Sequence, residues 1–269
     1  MAFAEIDPTA LMRLIGTADA PEIIDLRLPE DLNADATLIP TAQVVPYAAV
    51  TEHAAGWTER AVVLVCHRGR KISQGAAALL RLAGLRAEVL SGGMMAWREA
   101  GLPTVPMAAI PPQVNGATLW VTRHRPKVDR IACPWLIRRF VDPAARFLFV
   151  PPADVLAVAE KFGAVPFDIE GAFWSHRDPG CTFDTMLAEF GLSTPALDRL
   201  ALVIRAADTD RHDLAPQAAG LLALSVGLSR AYRDDLAQLE AAMPIYDALY
   251  RWARDGFDEG HDWPAGRKG

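Results

Sequence analysis

Residues 61–65 (AVVLV) form an unbroken apolar run. Cys66 ends it, the basic stretch His67, Arg68, Gly69, Arg70 and Lys71 follows, and the Ala/Leu-rich residues 73–83 come next. A short run of β-branched residues without polar alternation reads as a strand buried on both faces. The Ala/Leu-rich segment reads as a helix, which Gly84 stops. Residues 22–26 (EIIDL), 42–45 and 87–90 read as further strands, and 94–100 as a short helix closed by Gly101. Strands alternating with helices predict an open parallel sheet flanked by helices, an α/β architecture. Ligands of such sheets gather beyond the carboxyl ends of the strands, which is where Cys66 falls.

Residues 103–116 change character: Pro103, Pro106, Pro111, Pro112, Asn115 and Gly116 occur there without a single charge. That composition predicts a semi-rigid linker. A chain of 269 residues suits two domains. The boundaries follow as 1–106, a linker at 107–116, a second unit at 117–256 and a polar, flexible tail at 257–269. In the second unit, 118–122 and 146–150 read as strands. Helices are expected at 130–140, 155–162, 182–190, 196–207, 215–229 and 232–254, with Pro244 bending or breaking the last. This is a mostly helical α+β domain. At 51% hydrophobic and 22% charged, the chain has ample material for a packed core, which excludes a disordered chain. A net charge of -6 gives no general footprint for nucleic acid, which is not expected as a partner. No apolar run approaches the ~18–20 residues that cross a bilayer, so no membrane association is expected. Glu5 and Asp7 break any secretory pattern at the N-terminus. Three cysteines, Cys66, Cys133 and Cys181, are too few and too odd for a disulfide framework, and a reducing cytoplasm fits them best.

The segment after residue 65 carries the sharpest chemistry. A thiol at a strand end meets loop N–H groups, a helix N-terminus and the charges of Arg68, Arg70 and Lys71, surroundings that stabilise negative charge on sulfur. No acidic residue occurs between Cys66 and Ala87 to neutralise them. The same N–H groups would hold an anionic substrate. The plainer alternative is a buried cysteine beside a solvated basic turn; the composition of the loop favours a reactive thiol.

Residues 5–106 resemble a single rhodanese domain. The resemblance rests on Ile24-Asp25-Leu26-Arg27 followed by Glu30, on Ile39-Pro40 through Pro46, and on the Cys66 loop. It continues in Leu90-Ser91-Gly92-Gly93, Trp97 and Gly101-Leu102-Pro103. It implies that Cys66 takes a sulfane sulfur from a small anionic donor such as thiosulfate, holds it as a persulfide and passes it to a thiol acceptor. No cofactor is required. His67, Arg68, Gly69, Arg70, Lys71 and Ile72 would bind the substrate. Lys71 and Ile72 stand where such loops often carry Arg then Ser, with Ser73 one place late. Lys71 keeps the charge but loses the planar fork, which bears on donor preference. A phosphatase loop of related fold would be one residue longer and end in arginine; that position is Ile72, so phosphoryl transfer is rejected. Asp25 and Arg27 are expected to form a structural ion pair, and Gly92 and Gly93 a tight turn.

The second unit resembles the C-terminal domain of the ChrB chromate-resistance family. The match runs through Arg125-Pro126-Lys127-Val128-Asp129-Arg130 and Cys133-Pro134-Trp135-Leu136-Ile137-Arg138-Arg139-Phe140. It continues in Ser175-His176, Cys181-Thr182-Phe183, Ala206-Ala207-Asp208-Thr209-Asp210 and Gly227-Leu228-Ser229. A rhodanese domain joined to it is similar to the architecture of sulfurtransferase/chromate-resistance proteins, and implies sulfur transfer in a setting of oxyanion or redox stress. No CxxC or HExxH spacing is present. His176, Asp208 and Asp210 are the candidate metal ligands, with Glu170 or Cys181 as completion, and such a donor set suits Zn, Mn or Fe. Capping and ion pairing are the plainer roles for the same residues. Cys133 lies on an apolar helical face and reads as core. The basic run Arg123, Arg125, Lys127, Arg130, Arg138 and Arg139 could bind an oxyanion or pair with acids elsewhere. Two rival functions follow: a non-catalytic oxyanion- or metal-sensing protein, and a metal-dependent redox enzyme housed in the second unit. Neither the acceptor nor the oligomeric state is legible.

Overall fold

The computed structural model describes residues 4–57 and 59–260. The first half runs β1 (Glu5–Ile6), α1 (Pro8–Leu14), β2 (Glu22–Asp25), α2 (Pro29–Ala34), β3 (Thr37–Leu38) and β4 (Gln43–Val44). It continues through α3 (Val50–His53), β5 (Val62–Val65), α4 (Lys71–Leu82), β6 (Ala87–Leu90), α5 (Gly93–Glu99) and β7 (Val105–Pro106). Five strands form one all-parallel sheet in the order β1-β6-β5-β2-β4. The most apolar strand, β5, is central and buried at every position, as a strand covered by helices on both faces must be. One face packs Ile24, Leu64, Ala77 and Leu80; the other packs Leu11, Ile23, Val63 and Trp97.

The proline-rich segment is more ordered than a linker. β7 pairs antiparallel with β3, Met107–Ala109 makes a 3-10 turn, and β8 (Gln113–Val114) pairs antiparallel with β9 (Ala117–Arg123). Pro106 lies in a two-residue edge pairing, which tolerates a missing N–H, and the other prolines lie outside the strands. The second half continues with α6 (Asp129–Phe140), β10 (Arg146–Val150), α7 (Val155–Phe162), β11 (Val165–Pro166) and α8 (Thr182–Glu189). It ends with α9 (Pro195–Asp208), α10 (Ala218–Ala231) and α11 (Asp235–Asp255). β10 and β11 flank β9 in parallel. Helix α6 is the centre of this half, with Ile131, Cys133, Trp135, Leu136, Ile137 and Phe140 all buried. Helix α11 is continuous through Pro244, so of the expected bend or break the break does not occur; buried Tyr246 and Tyr250 continue its apolar face beyond the proline. Of the tail, Phe257 lies under the Arg199 guanidinium at 4.3 Å, and residues 261–269 fall outside the described range.

The two halves share one apolar core, in which Leu11, Ile15 and Trp97 belong to the same cluster as Trp135, Phe140 and Tyr250. The N–H of Thr41 donates to the Phe140 carbonyl at 3.0 Å. Gly16, at φ +81°, sits where a Cβ would come within 2.4 Å of the Phe140 ring. Among the described residues no helix is long and apolar enough to cross a membrane.

Candidate functional site

Cys66 follows β5 directly, at the carboxyl edge of the sheet. The carbonyls of Cys66 and His67 accept from the N–H groups of Met94 (3.0 Å) and Met95 (3.1 Å), in the first turn of α5. In a trans peptide the C=O of one residue and the N–H of the next point in opposite directions. Those two bonds therefore turn the N–H groups of His67 and Arg68 away from α5. Among the described residues, none of the N–H groups from 67 to 73 donates to a protein acceptor. The last of these are the ordinary orphans of a helix start; with those of the loop they form a contiguous run of donors free to meet an anion.

Two glycines make this loop possible. Gly69 has φ +64°, and a Cβ there would lie 2.5 Å from the Leu90 carbonyl and 2.8 Å from the Gly93 nitrogen. Gly93 has φ +63°, and its Cβ would lie 2.2 Å from the Cys66 carbonyl. The Gly92-Gly93 turn is thus a platform against which the loop closes at backbone distance. The Cys66 side chain is 5% exposed, and its surroundings include polar groups. Sγ lies 3.1 Å from Ser73 Oγ and 4.0 Å from the Arg70 carbonyl. His67, Arg68, Arg70 and Lys71 are exposed, Gly69 is buried and Ile72 is half-buried. No acid lies near in sequence, but α2 brings Asp31 to 3.7 Å from His67 Nδ1. Asp25 and Arg27 form a buried pair at 2.7 Å, and Arg27 also donates to the carbonyls of Asp35 and Thr37. Their role is to tie the end of β2 to the neighbouring segment.

The second half gathers a different site from distant elements. Asp129 opens α6, Asp168 follows β11, His176 lies in the loop before α8, and Asp208 ends α9. His176 Nε2 stands 3.2 Å from Asp168 Oδ1, 3.2 Å from Asp208 Oδ2 and 3.5 Å from Asp129 Oδ2. Asp129 is wholly buried; its Oδ2 accepts from the Thr182 N–H at 2.7 Å, and its Oδ1 has no hydrogen-bond partner. Asp168 is held by Arg123 at 3.0 Å and Arg130 at 3.2 Å, and accepts from Thr182 Oγ1. Burial, then the charges of Asp208 and Asp168, push the Asp129 carboxyl well above the usual carboxylate range. Burial also opposes the charge on Asp168, but hydrogen bonding from His176 and the two arginines bring its carboxyl below its usual value. Hydrogen bonds to Asp168 and Asp208 push His176 up to about 10, against a smaller effect of burial.

The loop leading into α6 is fastened from behind. The N–H of Val128 donates to Ser225 Oγ at 2.9 Å, and its carbonyl accepts from the Tyr246 hydroxyl at 3.0 Å. Gln238 donates to the Pro126 carbonyl at 2.7 Å. Val128 is held at φ +37°, an uncommon conformation for a β-branched residue.

Of the metal candidates read from sequence, His176 and Asp208 come together and Asp210 does not. Asp210 sits two residues past the end of α9 at φ +56°, its side chain 93% exposed, with His212 at 3.7 Å. Among the described residues, the group able to share one ion is Asp129, His176 and Asp208. Glu170 is exposed and outside it, and Cys181 is buried at the start of α8, where its N–H donates to Asp184 Oδ2 at 2.8 Å. Asp129 and Asp168 escaped the sequence reading as cluster members. The available signal was an acid at the head of a helix whose residues 131–137 are all apolar. Burial pushes the thiols of Cys133 and Cys181 up, with Asp129 adding to both. In the basic run, Arg123 and Arg130 pair with Asp168, Arg138 with Glu240 and Arg139 with Asp247.

Comparison with known proteins divides the chain at the same place. Residues 7–100 match the family described as rhodanese-like domain, and residues 120–253 match the family described as ChrB, C-terminal domain. A curated relative, Protein ChrB of Cupriavidus metallidurans, is 37% identical over 141 residues, which are 52% of this chain and 42% of that protein. The match thus spans less than half of the relative's length. Among solved structures, a rhodanese-related protein from Thermoplasma volcanium is 23% identical, covering 38% of this chain and 98% of its own at a TM-score of 0.34. A rhodanese homolog from Thermus thermophilus is 28% identical, covering 35% of this chain and 99% of its own at a TM-score of 0.29. The chain therefore joins a member of the rhodanese-like domain family, at residues 7–100, to a member of the ChrB C-terminal domain family, at residues 120–253.

Proposed function

We propose that the first half is a sulfurtransferase working through a Cys66 persulfide. The observation that carries this reading is the loop at 67–73 that follows Cys66, whose N–H groups find no protein acceptor. A donor such as thiosulfate places its anionic sulfonate among these N–H groups, with Arg68, Arg70 and Lys71 adding long-range attraction. The Cys66 thiolate attacks the outer sulfur. The new S–S bond to Cys66 forms as the donor's S–S bond breaks, and sulfite leaves with the electron pair. An acceptor thiolate then attacks the outer sulfur of the persulfide and returns Cys66 as thiolate. Charge and atoms balance in both steps, and no cofactor takes part. Ser73 Oγ, 3.1 Å from Sγ, can turn its hydrogen toward the anionic sulfur or accept from the thiol.

The setting proposed for this activity is resistance to chromate or a related oxyanion or redox stress, supported by the ChrB-type second half. Cyanolysis tests the chemistry: wild-type protein treated with thiosulfate should release thiocyanate on adding cyanide, and Cys66→Ser should release none. Equal release by the two proteins would remove the proposal.

A further inference from the structure

We propose that Asp129, His176 and Asp208 hold one divalent transition-metal ion. The three residues each offer a ligand atom, and these atoms lie within 4.8 Å of one another. His176 Nε2 stands 3.2 Å from Asp208 Oδ2 and 3.5 Å from Asp129 Oδ2. Atoms that each bind one ion at ~2.0–2.2 Å stand roughly 3.0–3.5 Å apart, so the observed spacings are close to the edges of a coordination polyhedron.

A second observation is independent of that spacing. Asp129 is wholly buried, and its Oδ1 has no hydrogen-bond partner. A buried carboxylate oxygen without a donor is costly to keep. The protein keeps one on the carboxyl group whose other oxygen, Oδ2, stands 3.5 Å from His176 Nε2, and a cation held by that carboxyl group would supply the missing partner. Asp168 borders the same nitrogen: two arginines and the Thr182 hydroxyl hold it, and its Oδ1 lies 3.2 Å from His176 Nε2.

The donor set fixes the class of ion. Imidazole nitrogen with carboxylate oxygen and no thiolate suits Mn, Fe or Zn in the divalent state. His176 is 41% exposed, so an ion can enter from solvent, and water can fill the positions the protein leaves open. The inference stands apart from the Cys66 chemistry and does not rest on it.

The full-length protein, stripped with chelator, is titrated with Mn(II) alone while the resonance of free Mn(II) is followed, and Zn(II) alone is then used to displace it. Wild type and Asp210→Ala should each bind one equivalent. His176→Gln and Asp208→Asn should each weaken binding by about tenfold or more. These two side chains reach solvent, so folding survives their change; circular dichroism checks it. Wild type that binds neither ion, or variants that bind as tightly as wild type, would overturn the assignment.

Discussion

The Cys66 loop and the Asp129–His176 cluster lie in one molecule and solve opposite problems. The first is made of backbone: a contiguous stretch of chain keeps its N–H groups free of protein acceptors, with the Cys66 and His67 carbonyls bonded to α5 and Gly69 closing on the Gly92-Gly93 turn. The second is made of side chains drawn from the start of α6, the end of α9 and two loops. One collects donors without acceptors. The other collects acceptors, and leaves Asp129 Oδ1 without a donor. On the two proposals above, an anion would complete the first and a cation the second. A site made of backbone can be damaged without touching any charged group, whereas a site made of side chains survives unless one of them changes.

The largest effect that would break this contrast comes from Gly69→Ala. It removes no functional side chain, yet the added Cβ meets the Leu90 carbonyl at 2.5 Å with φ at +64°. The account expects a cost of about 2–4 kcal/mol and loss of sulfur loading. Arg70→Ala, changing an exposed charge, should retain most of the loading in the same cyanolysis assay. The reverse order would mean that the side chains, not the backbone, make the site.

Next comes Gly16→Ala, which asks whether the halves are independent. The new methyl would meet Phe140 at 2.4 Å and Tyr250 at 2.7 Å, at φ +81°. A loss of about 2–3 kcal/mol is expected, seen by calorimetry as a single transition moved to lower temperature. Two separate transitions, with only the first displaced, would show that the shared core does not couple the halves.

Ser73→Ala sharpens the contrast from the other side, because it removes the side chain that touches sulfur. Deleting a hydrogen bond worth about 1 kcal/mol should slow loading by about fivefold, with the final amount of persulfide unchanged. Threonine at the same position should restore part of the rate.

The smallest effect concerns Asp35, which Arg98 and Arg27 hold at the edge of the first half. Burial opposes its charge, but hydrogen bonds from Arg98 and Thr37 and the charge of both arginines bring its carboxyl below its usual 3.8. A lowered folded-state value means that the stabilisation is present above about pH 4 and is lost as pH falls through that lowered value. Asp35→Asn should therefore flatten part of the acid limb of a stability–pH curve. Solvent around Arg98 keeps the effect under about 1 kcal/mol.

How much of this was legible in the sequence follows the same division. β5, the Cys66 loop and α4 are consecutive, so their order alone located the thiol, the basic loop and the helix start. What sequence could not convey was the Gly92-Gly93 platform behind the loop, or Asp31 approaching His67 from α2. The second site was half legible. His176 and Asp208 stood out as polar residues at loops and helix ends. Asp129 and Asp168 were not among the metal candidates read from sequence. Their meeting depends on how α6, α8 and α9 pack, which no spacing reveals. Asp210 misled because it is two residues from Asp208 and beyond the helix end, where the backbone turns it to solvent. Pro244 misled for a related reason: tertiary packing on both sides of it holds α11 together against its local preference.

The central claim is that Cys66 is the sulfur-carrying nucleophile. Mass spectrometry of the intact protein after thiosulfate treatment tests it most directly, with peptide mapping to place the adduct. The account predicts a gain of one sulfur atom on Cys66, reversed by cyanide, with Cys133 and Cys181, both 0% exposed, unmodified. An unchanged mass, or a sulfur found on either buried cysteine instead, would contradict it.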